Sequence, residues 1–186
     1  FSSADPDASF LDGLWSFGLE EWGDYARAED AGLRAVAANA DDVWGIHAVV
    51  HTYEMQGRVA SGIRYLETRR KNWMEGTFLN VHNAWDLAIY LLECEEHARS
   101  LAIYDEVIHN AKSAGVAMEM LDGSGLRWRL FRDGIDTGGR FQALADACDR
   151  HGVILFEDDP YRDLVYDDCD RTPIAALTTR ASWVYQ

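Results

Sequence analysis

The stretch His47-Ala48-Val49-Val50-His51-Thr52-Tyr53-Glu54-Met55-Gln56-Gly57-Arg58-Val59-Ala60-Ser61-Gly62 decides the fold of this chain. Val43, Ile46, Val50 and Tyr53 recur at three and four positions, the spacing of an amphipathic helix. Gln56-Gly57-Arg58 predicts a turn, and the next helix carries Gly62 five residues after Gly57, where the two helices of a hairpin must approach closely. The same arrangement stands upstream, with Gly23 lying 34 residues before Gly57 and followed by Ala28. It stands downstream in Glu95-Glu96-His97, 38 residues after Gly57, followed by Ser100. A helix–turn–helix unit repeated at this period predicts a mainly α chain of antiparallel helix hairpins stacked as an α-solenoid.

The flanking sequence extends the pattern. Phe10, Leu14, Phe17 and Trp22 mark one helix face, and Leu33, Val36 and Ala37 another. Ile63, Leu66 and Trp73 follow, then Trp85, Ile89 and Leu92, with Leu101, Tyr104 and Ile108 on the partner helix. A fourth pair is expected over Val116 to Arg132 and Arg140 to Arg150, with Gly134 and Gly138-Gly139 as breakers and Gly123-Ser124-Gly125 as a flexible kink. Trp15, Trp22, Trp44, Trp73, Trp85 and Trp128 are expected to fill helix interfaces. After His151-Gly152 the pattern changes. Val153-Ile154-Leu155-Phe156 reads as a buried strand, an acidic loop from Glu157 to Asp170 follows, and Ser182 to Gln186 reads as the start of a second strand. The chain therefore divides into a helical domain over residues 1–142 and a short, incomplete α/β segment over residues 143–186. Phe1 in place of Met and the apolar run before Gln186 give both ends the look of a piece cut from something longer.

Composition narrows the function. Of 186 residues, 48% are hydrophobic, with 7 Trp, 8 Tyr and 7 Phe, enough to build a core. A formal charge of −15, from 17 basic against 32 acidic residues, repels phosphate backbones and anionic lipid, so neither nucleic acid nor membrane is an expected partner. Arg69-Arg70-Lys71 is too short a cluster to reverse that balance. Cys94, Cys148 and Cys169, odd in number and without a CxxC pair, read as reduced thiols of a cytoplasmic protein.

A 34-residue helix–turn–helix unit with a small residue at this point is the tetratricopeptide spacing. Two departures stand out: Arg69 replaces a small residue on the second helix, and no proline closes the units. Residues from about Leu11 to about Gln142 resemble the tetratricopeptide repeat protein 38 family in particular. The resemblance rests on Phe17-Gly18-Leu19-Glu20-Glu21 with Gly23-Asp24-Tyr25, on His47-Ala48-Val49-Val50-His51 with Glu54-Met55-Gln56-Gly57-Arg58, on His82-Asn83-Ala84-Trp85, and on Trp128-Arg129-Leu130. It implies a helical-repeat architecture, and the role expected of such a scaffold is non-catalytic, holding a protein, peptide or small molecule on its concave face. A further reading is an open-ended repeat that does little and whose exposed edges favour self-association. The similar family carries His where this chain has Asp86.

A second resemblance covers about Ala143 to Gln186. Leu144-Ala145-Asp146-Ala147-Cys148-Asp149-Arg150-His151-Gly152, continued by Glu157-Asp158-Asp159-Pro160-Tyr161-Arg162-Asp163-Leu164, resembles class I pyridoxal-phosphate aminotransferases. That likeness implies that Asp158 pairs with the pyridine nitrogen and Tyr161 with the ring's phenolic oxygen. The family's Schiff-base lysine has no counterpart here, since no lysine follows Lys112, so the alternative reading is an aminotransferase fragment that is inactive alone.

The chemistry-bearing residues of the helical part fall in two pairs. His47 and His51 are four apart and share a helix face, with Glu54 nearly one turn further on, and His82 and Asp86 repeat the i, i+4 geometry in the next unit. If first helices lie side by side, these five groups converge on the concave surface. Two readings are open: a divalent-metal, ligand or acid–base site, or a hydrogen-bonded polar lining. The residues are assigned here as ligand-binding, without an assigned metal, cofactor or catalytic residue.

Overall fold

The computed structural model describes residues 8–75, 79–110, 112–113, 115–157, 174–180 and 183–185. The chain is mainly helical and divides into two compact units, Phe1–Ile108 and His109–Gln186. The contact boundary falls before the fourth helix pair, whereas the sequence changes character after residue 142.

The first unit holds α1 (Ala8–Glu21), α2 (Tyr25–Ala38), α3 (Val43–Met55), α4 (Val59–Thr68), the single turn α5 (Arg70–Trp73), α6 (Leu79–Glu93) and α7 (His97–Ile103). A π-helical turn, Tyr104–Ile108, continues α7. The connections repeat one device. Gly23, Gly57 and Glu95 take the left-handed conformation at φ 86°, 66° and 58°. In each case the next backbone N–H donates back to the helix just ended: Asp24 to Leu19 O, Arg58 to Tyr53 O and Glu96 to Leu91 O, at 2.8–2.9 Å. These bonds satisfy carbonyls that a helix C-terminus leaves open. The carboxylates of Asp24 and Asp42 accept the N–H groups of Arg27 (3.4 Å) and Gly45 (2.9 Å) at the starts of α2 and α3.

Helix α3 touches α1, α2, α4 and α6, and α4 in turn touches α6. Small residues set the separations. Ala28 and Ser100 are fully buried, and a Cβ placed on Gly62 would lie 2.4 Å from the Tyr90 ring. Tyr90 is held there by its hydroxyl, which donates to Val50 O at 2.6 Å. Gly13 of α1 lies against the backbone of Gly45 in α3, 3.1 Å from where its own Cβ would sit. This stripe corrects the expectation for α1, whose buried residues are Ser9, Gly13, Ser16, Leu19 and Glu20. Phe10 and Leu14 face outward instead, because the small side brings the two backbones together. The tryptophan expectation is corrected in the same way. Trp22 is 87% exposed and Trp15 and Trp128 are also exposed, while Trp73 is fully buried with its indole N–H on Leu66 O at 2.9 Å.

The hairpins are also tied at their edges. Arg58 reaches both carboxylate oxygens of Glu29 at 2.6 and 3.0 Å, and Arg99 pairs with Glu67.

In the second unit α8 (Ala117–Arg132) runs unbroken through Gly123-Ser124-Gly125, where a kink was expected. It packs with α9 (Arg140–His151) in a cluster of Met120, Leu144, Ala147, Cys148 and Val153. Gly152 closes α9 in the left-handed conformation. Two short strands, β1 (Leu155–Glu157) and β2 (Trp183–Tyr185), pair in parallel with Leu155 opposite Trp183. The Asp149 carboxylate accepts from the backbone N–H groups of Thr179 and Arg180 and from the Thr179 hydroxyl, at 2.7–2.8 Å. Cys94 and Cys148 are free thiols, and no described helix is long and apolar enough to cross a membrane.

The Gly62 contact gives a paired test. Gly62→Ala drives a methyl into an anchored ring and is expected to destabilise the protein by about 1–3 kcal/mol. Gly18→Ala, whose added Cβ meets nothing within 4 Å, is expected to stabilise α1 by up to about 1 kcal/mol. Urea unfolding midpoints measure both, and a Gly62→Ala protein as stable as wild type would show that Tyr90 yields without cost.

Candidate functional site

Three helices build the site: α1 supplies Phe17 and Glu20, α3 supplies Trp44, His47 and His51, and α6 supplies His82, Trp85 and Asp86. The two i, i+4 pairs meet where α3 packs on α6. His47 Nδ1 donates to Asp86 Oδ2 at 3.0 Å, with both side chains almost completely buried. The rings of His47 and His51 stand edge to face with centroids 4.3 Å apart, and the His82 ring lies 4.9 Å from that of His47. One ligand atom from each of His47, His51, His82 and Asp86 lies within 4.8 Å of the others, and among the described residues these are the group able to hold a metal.

Aromatic rings frame the cluster. Phe17 stacks on His47 at 5.8 Å and faces His51 at 5.4 Å, while the Trp85 ring is parallel to that of His82 at 5.6 Å. His51 and His82 keep partial exposure and form the accessible edge.

The electrostatics are those of acids and imidazoles held in poor solvation. Burial, reinforced by His47 and opposed by Asp86, pushes the His51 imidazole down to about 4, so it is neutral near pH 7. Burial, then the charges of Glu21 and Glu54, holds the Glu20 carboxyl above its ordinary value. Glu20 Oε2 sits 3.9 Å from His51 Nδ1, beyond hydrogen-bond length. Two buried carboxylate oxygens on this face, Glu20 Oε2 and Asp86 Oδ1, have no hydrogen-bond partner. Each such oxygen carries a desolvation cost of a few kcal/mol that a donor or a cation would relieve.

Of the five residues assigned from sequence, His47, His51, His82 and Asp86 come together. Glu54 stays exposed and contributes its charge to Glu20 and Tyr90. Asp158 and Tyr161, assigned to pyridoxal phosphate, lie outside the described residues. The sequence reading missed Glu20, although the period holds its signal: Glu20 stands three residues before Gly23 as Glu54 stands three before Gly57. The second unit has a separate apolar groove of about 420 Å³ lined by Met118, Met120, Leu121, Ile154 and Phe156, among others, with no converging acid or histidine. Neither a family model nor a solved structure matches the chain.

The depressed His51 value fixes a pH dependence. Between about 6.5 and 4 the unfolded chain binds the His51 proton and the folded chain does not, so stability falls as pH falls through that window. In chelator-treated protein the His51 share is expected to reach about 3 kcal/mol at most. Glu20, with its raised value, works in the opposite sense, so the comparison needed is wild type against His51→Phe. The variant is expected to show a shallower loss of denaturation midpoint from pH 7 to pH 4, and identical slopes would remove His51 as the responsible group.

Proposed function

We propose that this chain is a helical-repeat binding protein of the tetratricopeptide repeat protein 38 type, non-catalytic, with its ligand taken on the face made by α1, α3 and α6. The repeated turns at Gly23, Gly57 and Glu95, and the contacts of α3 with both α1 and α6, support a solenoid arrangement of the hairpins. The parallel pairing of β1 with β2 supports an α/β character for the chain's last part. The observation that carries the reading is the convergence of His47, His51, His82 and Asp86 around buried carboxylate oxygens without donors.

That electrostatic setting selects the ligand's chemistry. A group bearing N–H donors or positive charge is what the unpartnered Asp86 Oδ1 and Glu20 Oε2 call for, and Phe17, Trp44 and Trp85 supply ring faces for its apolar part. An anion of equal size meets two buried acids and is rejected.

Ligand-observed NMR on chelator-treated protein tests this with small primary amines against carboxylates of the same size. Amines are expected to bind, carboxylates to fail, and His82→Gln and Asp86→Asn to weaken amine binding at least about tenfold, the loss of one charge-assisted contact. Amine binding unchanged in both variants, or no amine binding at all, would overturn the assignment.

A further inference from the structure

We infer that His47, His51, His82 and Asp86 together hold one divalent transition-metal ion of the zinc type. The inference deepens the proposed binding role and rests on the same cluster. Its first support is the donor set. Three imidazole nitrogens and one carboxylate oxygen suit a borderline cation, whereas calcium and magnesium seek oxygen shells.

The second support is placement. The ligand atoms come as two i, i+4 pairs on two packed helices, so the backbone sets their directions before any ion arrives. His47 Nδ1 and Asp86 Oδ2 are already 3.0 Å apart. Metal bonds of about 2.0–2.1 Å place neighbouring corners of a tetrahedral shell about 3.3 Å apart, so this pair fits one edge of the shell. All four ligand atoms lie within 4.8 Å of one another, and the half-buried His51 and His82 at the accessible edge have the freedom to rotate inward onto an ion. On binding, Nδ1 of His47 gives up its proton and becomes the ligand atom.

The third support is the unpartnered Asp86 Oδ1 on a side chain that is 1% exposed. A buried carboxylate oxygen without a donor is costly, and an adjacent cation removes that cost. Glu20, facing His51 from α1, adds a second carboxylate beside the imidazole, as outer carboxylates do around metal-bound histidines.

The experiment uses the whole chain, stripped with chelator and titrated with Co²⁺, whose visible bands report four-coordinate nitrogen and oxygen ligation. Wild type is expected to develop these bands, saturate at one ion per chain and lose them to added Zn²⁺, which also raises the melting temperature. His82→Gln and Asp86→Asn, each shown folded by circular dichroism, are expected to lose the bands. Cys94→Ser, which removes an exposed thiol, is expected to keep them. No bands in wild type, bands that persist in both cluster variants, or bands lost in Cys94→Ser would each overturn the inference. The amine titration separates the two levels: amine binding without Co²⁺ binding leaves the binding role standing and removes the metal.

Discussion

His47 and Asp86 reach each other from different helices across 3.0 Å of almost water-free space. A contact of that length between buried polar groups tolerates little sliding, because any shift of α6 along α3 strands both partners in poor solvation. The helices therefore have one register, and the neighbouring side chains inherit it. His51 lies one turn from His47, His82 one turn from Asp86, and Phe17 covers His47 and His51 from α1. Small residues make this register reachable: Gly13 against Gly45 brings α1 to α3, and Gly62 makes room for Tyr90, whose hydroxyl ties α6 to the backbone of α3. Apolar side chains such as Ile46, Val49, Leu87 and Leu91 fill the space behind the polar face and supply most of the driving force.

Charge acts differently inside and outside. Most ion pairs of the first unit lie on the surface, where screening and side-chain entropy leave each worth about 0–1 kcal/mol. The Arg58–Glu29 pair is better placed, since the guanidinium meets both oxygens and holds the Glu29 carboxyl below its ordinary value. On the histidine face, by contrast, acids sit where solvation is poor and gain no arginine. Asp86 and Glu20 are acids buried beside imidazoles, Asp86 at His47 and Glu20 at His51.

Much of this was legible in the chain. The 34-residue spacing of Gly23 and Gly57 gives the turns, and the i, i+4 spacing of His47/His51 and His82/Asp86 gives the two pairs. Their meeting follows from register, since His47 to His82 and His51 to Asp86 are both 35 residues. What misled was side-chain size. Phe10, Leu14 and Trp22 carry the strongest apolar signal in and beside α1, yet the helix buries Gly13, Ser16 and Glu20, because close backbone approach rewards small residues over large ones. Trp73 shows the opposite case: expected inside, it fills the core from the single turn α5, and its N–H finds a carbonyl. Gly123 and Gly125 likewise suggested a break, and the helix continues because its neighbours Met120, Leu126 and Leu130 are buried.

The junction of α3 with α6 also bears on how the first unit comes apart. Helix hairpins that pack on one another divide their stability between what each holds alone and what each shares with its neighbour. Asp86 and His82 belong to one hairpin, His47 and His51 to the one before it. Anything that bridges them strengthens the shared portion and leaves each hairpin's own portion unchanged. Occupancy of this face would thus show itself as cooperativity: hairpins that open one after another when the face is empty would open as a single block when it is filled.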